Sequence, residues 1–108
     1  MGTEDEAMAQ KLGCTKLLCQ LGLDILSAQK LKTRLPSLLP GGTKVAHKTG
    51  TGARNYNDAG IVYKGMEPSF ILSVFTECVP DVLSDGTPGH AVASHLIGKL
   101  SRICYDRL

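Results

Sequence analysis

The stretch Pro68 to Glu77, PSFILSVFTE, constrains the fold more than any other part of the chain. Read as a strand, it sends Phe70, Leu72 and Val74 to one face and Ile71 and Phe75 to the other, with no charge before Glu77. A strand that is apolar on both faces does not belong in a sheet with one wet side, because each face needs something to cover it. Its neighbours must therefore supply both paired strands and packed helices.

The preceding residues read as those strands. Thr43 to Thr49 alternates weakly, and Asp58 to Lys64 is short and β-branched in its middle. The connections GTGARNYN and GMEP carry Gly and Asn and are short enough for antiparallel neighbours. The expectation is a meander over about 43–50, 58–64 and 69–77. On its N-terminal side, Leu17, Leu18, Leu21 and Ile25 recur at helical spacing from Thr15 to about Lys32, with Gln20, Asp24 and Lys32 off the stripe. TRLPSLLPGG then breaks the helix with two prolines and two glycines. On the C-terminal side, Thr87 and Pro88 read as N-cap and first helical residue of an 88–107 helix whose stripe is Val92, Leu96, Leu100, Ile103 and Cys104.

The fold class is thus α/β in composition and α+β in arrangement: a three-stranded antiparallel sheet flanked by N-terminal and C-terminal helices. Residues 1–14 read as a flexible lead and 15–108 as one domain, of a size that buries roughly two-thirds of its unfolded surface.

Charge and apolar runs exclude several functions. A net charge of +2 with scattered basic residues gives no footprint for nucleic acid. No apolar run approaches the roughly 20 residues that span a bilayer, and the acidic start MGTEDEAMAQ is unlike a secretory signal, with Glu6 breaking a myristoylation pattern. The chain as given reads as cytoplasmic or as a segment of something longer, with neither nucleic acid nor membrane as a partner. Cys14, Cys19, Cys78 and Cys104 could form two disulfides, but they lack C-x-x-C spacing and read as free buried thiols. His90 and His95 stand too far apart on a helix to share a metal face, so no metal and no cofactor are expected.

HKTGTG, His47 to Gly52, carries the chemistry. A lysine followed by threonine and glycine near a strand end suits anion recognition: ammonium and hydroxyl reach a carboxylate, and glycine admits the ligand close to the backbone. The same tripeptide also suits a turn with a solvated lysine. Its surroundings extend the pattern. TRLPSLLPGGTKVAHKTGTGARNYNDAGIVY, FILSVFTECVPD and DGTPGHAVASHLIGKLSRICYDRL, in that order, resemble the C-terminal portion of class A β-lactamases and related penicillin-recognising serine hydrolases, from about residue 15 to the end.

The resemblance implies that Lys48 and Thr49 contact a substrate carboxylate, that Gly50 permits close approach, and that the Thr51 N–H is one of two oxyanion-hole donors. Lys48 would also support proton movement near the nucleophile. That nucleophile, a Ser-x-x-Lys upstream of the motif, is missing, as are the family's Ser-Asp-Asn-like element and deacylating glutamate. Ser27 to Lys30 has the spacing on the wrong helix, and Ser84 to Gly86 follows Lys48 instead of preceding it. Asp58 falls where several class A enzymes place an arginine and would repel a carboxylate there, leaving Arg54 as the substitute. His47 alternates with Lys48 and faces the opposite side, toward helices; His47, His90 and His95 receive no catalytic role.

The functional expectation is a fragment or truncated member of these serine hydrolases, which binds a β-lactam or other carboxylate and is inactive alone. β-Lactam hydrolysis, antibiotic resistance and a periplasmic or secreted location belong to the parent family. The alternative is a stand-alone, non-enzymatic small α/β domain acting through self-association or a partner chain. In the family's fold the strand near 69–77 pairs on its free side with a strand from the N-terminal part. A homo-oligomer or a complementary N-terminal half is therefore the expected partner.

Overall fold

A computed structural model describes residues 7, 10, 11, 13 and 15–108. The elements follow the expected order: α1 (Lys16–Ser27), β1 (Val45–Thr51), β2 (Tyr56–Lys64), β3 (Glu67–Val74) and α2 (Gly89–Arg107). The expected lead over 1–14 falls almost wholly outside the described residues.

The three strands form one antiparallel sheet in the order β1-β2-β3. Lys64 pairs with Glu67, so β2 and β3 meet through a two-residue turn, Gly65-Met66, in which Gly65 takes φ +63°. Only glycine adopts that angle freely, which sets the hairpin. β3 ends before the expected Glu77, because side chains take over the pairing there: the Thr76 N–H donates to Asn57 Oδ1 at 2.9 Å, and the Tyr56 N–H donates to Thr76 Oγ1 at 2.8 Å. The register shifts between Val62 and Tyr63, and both residues are buried.

One sheet face carries the core. Val45, His47, Gly60, Val62, Phe70, Leu72 and Val74 share it by register. Leu35, Val45, Val62 and Ile97 form the buried centre, with Leu39, Phe70, Leu72, Val74 and Tyr105 packed around it. Each fully buried aliphatic side chain of this kind contributes roughly 1.5–3 kcal/mol of transfer free energy.

The helices turn different faces inward from those their apolar stripes suggest. α2 buries Gly89, Ala93, Ile97, Gly98 and Ser101, while Leu96, Leu100 and Ile103 stay exposed. Small residues let the helix lie close: a Cβ on Gly98 would collide with Ser37 Oγ and crowd Arg34 O. Pro88, not Thr87, is the N-cap, and it makes no side-chain cap bond. α1 stops at Ser27, earlier than expected, because the Ala28 N–H bonds back to Asp24 O and Ile25 O and closes the last turn. α1 packs beside β1, yet none of its residues is buried, and Leu17, Leu18, Leu21 and Ile25 face outward.

The second sheet face is covered at Ala46 on β1, 1% exposed, and open along β3. Ile71 is 76% and Phe75 77% exposed, so the two-sided cover that PSFILSVFTE calls for is present on one side only. The expectation of free buried thiols is corrected. Cys19 is disulfide-bonded, Cys78 is free but exposed, and Cys104 is free and half-buried; Cys14 lies outside the described residues. No described helix is long and apolar enough to cross a membrane.

Two glycines test this packing in opposite directions. A Cβ on Gly60 would lie 2.5 Å from Ala46 O and 2.6 Å from His47 Cβ, so Gly60→Ala is expected to destabilise the chain by about 1–3 kcal/mol in urea unfolding. Gly22, inside α1, has nothing within 4 Å of such a Cβ, and Gly22→Ala is expected to stabilise by about 0.5–1 kcal/mol.

Candidate functional site

Lys48, Thr49, Gly50 and Thr51 occupy the second half of β1, an edge strand of the sheet. Lys48, Gly50 and Thr51 are exposed and Thr49 is partly buried. Alternation sends Lys48 to the open face and His47 into the core, as the sequence suggests. The Lys48 ammonium donates to Thr49 O at 2.7 Å, which leaves two of its three protons for other acceptors.

A second cation lies beneath this strand end. Arg34, 6% exposed, donates from Nη1 to Asn57 O at 2.8 Å and to Gly50 O at 3.2 Å, and from Nη2 to Thr51 Oγ1 at 2.7 Å. Its Cζ lies 5.6 Å from the Tyr56 ring centroid, and its Nε is buried without a partner. No carboxylate among the described residues forms an ion pair with Arg34. Because Thr51 Oγ1 accepts from Arg34, its own hydroxyl proton is directed elsewhere, free to donate.

Asp58 does not oppose this charge from the ligand side. It is 1% exposed on the core face, where Oδ2 accepts the Leu35 N–H at 3.0 Å and both oxygens lie 3.1 Å from His47 Nδ1. A carboxylate only accepts, so Nδ1 carries the proton. The expectation that Asp58 repels a substrate carboxylate is therefore corrected: strand alternation turns it away from Lys48 and toward His47 and the 33–39 loop.

The exposed Arg54 side chain is tied to the backbone at its Nε. Its Nε donates to Val79 O at 3.1 Å, and the Val79 N–H returns to Arg54 O at 3.0 Å, so the side chain ties the β1–β2 turn to the segment after β3. It lines a hollow with Asn55, Asn57, Phe75, Thr76 and Cys78.

The remaining candidates lie apart. Ser27 Oγ is buried with no hydrogen-bond partner, so Lys30 does not activate it. Ser84 to Gly86 lies in the exposed loop before α2. His90 and His95 are exposed on α2 and border a shallow groove with Thr33, Ser37 and Ser94; the His90 ring lies 6.3 Å from that of Tyr56. Among the described residues, no three His, Cys, Asp or Glu side chains come together as a metal site.

Sequence reasoning missed Arg34. It stands fourteen residues before Lys48 in a proline-rich loop, and no periodicity links the two. The one local signal was TRLP itself: an arginine beside a leucine in a segment that prolines hold rigid.

Known proteins share this architecture. The model of the family described as Beta-lactamase enzyme family matches residues 2–108. Among solved structures, the chain is similar to a representative class A β-lactamase from Bacteroides cellulosilyticus (24% identity, TM-score 0.72, 94% of this chain and 37% of that one). It is also similar to a β-lactamase from Chitinophaga pinensis (23%, 0.72, 95% and 40%) and to PBP-A (24%, 0.70, 94% and 37%). No curated protein matches in sequence. The chain thus has the length of a portion of these folds, in agreement with the resemblance to a C-terminal portion. With the order of elements in place and the match running over nearly every residue, this chain belongs to the β-lactamase enzyme family.

Proposed function

We propose that this chain is the anion-recognition portion of a β-lactam-binding serine hydrolase, and that alone it binds a β-lactam or similar carboxylate without hydrolysing it. The observation that carries this reading is Arg34: a buried guanidinium with no carboxylate partner among the described residues, donating to Thr51 Oγ1 at 2.7 Å on the strand that also carries the exposed Lys48. A buried charge without a counter-ion is costly, and a bound anion offsets that cost. Lys48 and Thr49 would hold the carboxylate directly, and Thr51 would pass the influence of Arg34 to the surface through its hydroxyl. Gly50 would admit the ligand, and the Thr51 N–H would serve as one oxyanion donor.

Hydrolysis needs a nucleophile joined to a base. Among the described residues, Ser27 Oγ and Ser101 Oγ have no hydrogen-bond partner and Ser37 Oγ donates to the Arg34 carbonyl, so none of these hydroxyls meets one. The upstream Ser-x-x-Lys of the family would lie in the part of the fold outside this chain. Positioning without a nucleophile gives binding only. Lys48 therefore has a supporting catalytic role only where the rest of the site is present.

The open flank favours a partner. Ile71 and Phe75 are exposed, β3 pairs only with β2 among the described residues, and the chain spans 37% to 40% of the relatives' length. The proposed occupant is the complementary portion of the same fold, whether on the same polypeptide or another, adding a strand to β3 and cover to its open face.

Calorimetry with benzylpenicillin should give binding that falls about tenfold in Lys48→Ala and again in Arg34→Lys, the loss of a charge-assisted hydrogen bond in each case. A fluorescent penicillin should leave no covalent label; a label that disappears in Ser27→Ala would overturn the non-enzymatic reading. For the flank, a hydrophobic dye should bind the chain and lose part of its signal in the Ile71→Lys, Phe75→Lys double variant, the rest coming from the exposed apolar residues of the helices. A discrete homodimer in sedimentation that binds no dye would instead assign the surface to a second copy.

A further inference from the structure

Asp58 is the one buried carboxylate of the core face among the described residues, and its contacts reach both cations of the site through their immediate chain neighbours. Oδ2 holds the N–H of Leu35, the residue after Arg34, and both oxygens hold His47, the residue before Lys48. One residue back along β2, Asn57 O accepts from Arg34 Nη1 at 2.8 Å. The loop at 34–35 and the strand at 57–58 are therefore joined twice, once from the Arg34 side chain and once into the Asp58 side chain. Leu35 and Asp58 are essentially closed to water, so neither bond has a solvent substitute.

We propose that Asp58 is a positioning residue for the anion site: by fixing Leu35 and His47 it holds Arg34 under Thr51 and sets the direction of Lys48. This rests on the reading of Lys48 and Arg34 as an anion site. It has the opposite sign to an electrostatic role. A carboxylate that merely repelled the ligand would weaken anion binding, and its neutralisation would strengthen it. A carboxylate whose charge is already engaged by a histidine and an amide acts through geometry, and its loss weakens binding. His47 is the second member of the linkage. Its Nδ1 proton satisfies the carboxylate that Leu35 leaves partly free, so Asp58 is not required to seek a ligand-side donor.

The test compares the chain with Asp58→Asn and Asp58→Ala. Amide hydrogen exchange reads the Leu35 N–H against that of Ile97, a core residue in α2 that monitors the fold as a whole. In Asp58→Ala, Leu35 protection is expected to fall about tenfold or more relative to Ile97, with a smaller loss in Asp58→Asn, which keeps an acceptor oxygen. Benzylpenicillin affinity is expected to fall in the same order. Unchanged Leu35 protection relative to Ile97, or tighter penicillin binding in either variant, would overturn the proposal. If Asp58→Ala does not fold, Asp58→Asn alone carries both readouts. Should the unsubstituted chain bind no penicillin at all, the anion-site reading fails, while the Leu35 comparison still decides whether Asp58 positions the loop.

Discussion

One buried carboxylate ties the 33–39 loop to the first two strands of the sheet. Asp58, on the central strand, takes a hydrogen bond from the Leu35 amide and faces His47 on the neighbouring strand at 3.1 Å. Burying a charge is unfavourable unless its partners are complete, and here an amide and an imidazole N–H complete them. The consequence reaches beyond stability. The loop that Asp58 captures delivers Leu35 to the centre of the core and Arg34 to the underside of β1. Gly60 makes room for the arrangement, since any side chain there would collide with His47.

From that anchor the rest of the molecule follows in layers. The core face closes against α2 through small residues, Gly89, Ala93, Gly98 and Ser101, which bring the helix near enough for Ile97 to fill the centre. The other face stays open along β3, with Ile71 and Phe75 outward, and Leu21 and Ile25 of α1 and Leu96 and Leu100 of α2 are turned to solvent. A sheet so asymmetrically covered is what a portion of a larger fold presents, and relatives more than twice this length share its architecture. Function divides along the same line. The anion-recognition edge is proposed to lie within these residues, and the proposed chemistry depends on groups outside them.

Much of the fold was legible because turn chemistry and periodicity are local. Gly65 fixed the second hairpin, alternation separated His47 from Lys48, and the prolines of TRLPSLLPGG kept the first helix from continuing. Helix orientation was not legible, because the apolar stripes of the helices are not the faces that they turn to the sheet. Leu96, Leu100 and Ile103 read as core, yet the close approach needed by the sheet selected glycine and alanine instead. The site divided in the same way. The Lys48 motif is contiguous, so it could be read directly. Arg34 reaches it across fourteen residues, and Asp58 was misread because its neighbours along the chain say nothing of the histidine it faces.

Lys48 and Arg34 are proposed to form one anion site at the end of β1. A map of amide and arginine side-chain NMR shifts during titration with benzylpenicillin tests it most directly. The account predicts shifts confined to residues 48–52 and the Arg34 guanidinium, with the groove around Ser37, His90 and His95 silent. Shifts centred on that groove, or on the hollow beside Arg54, with residues 48–52 unmoved, would contradict it.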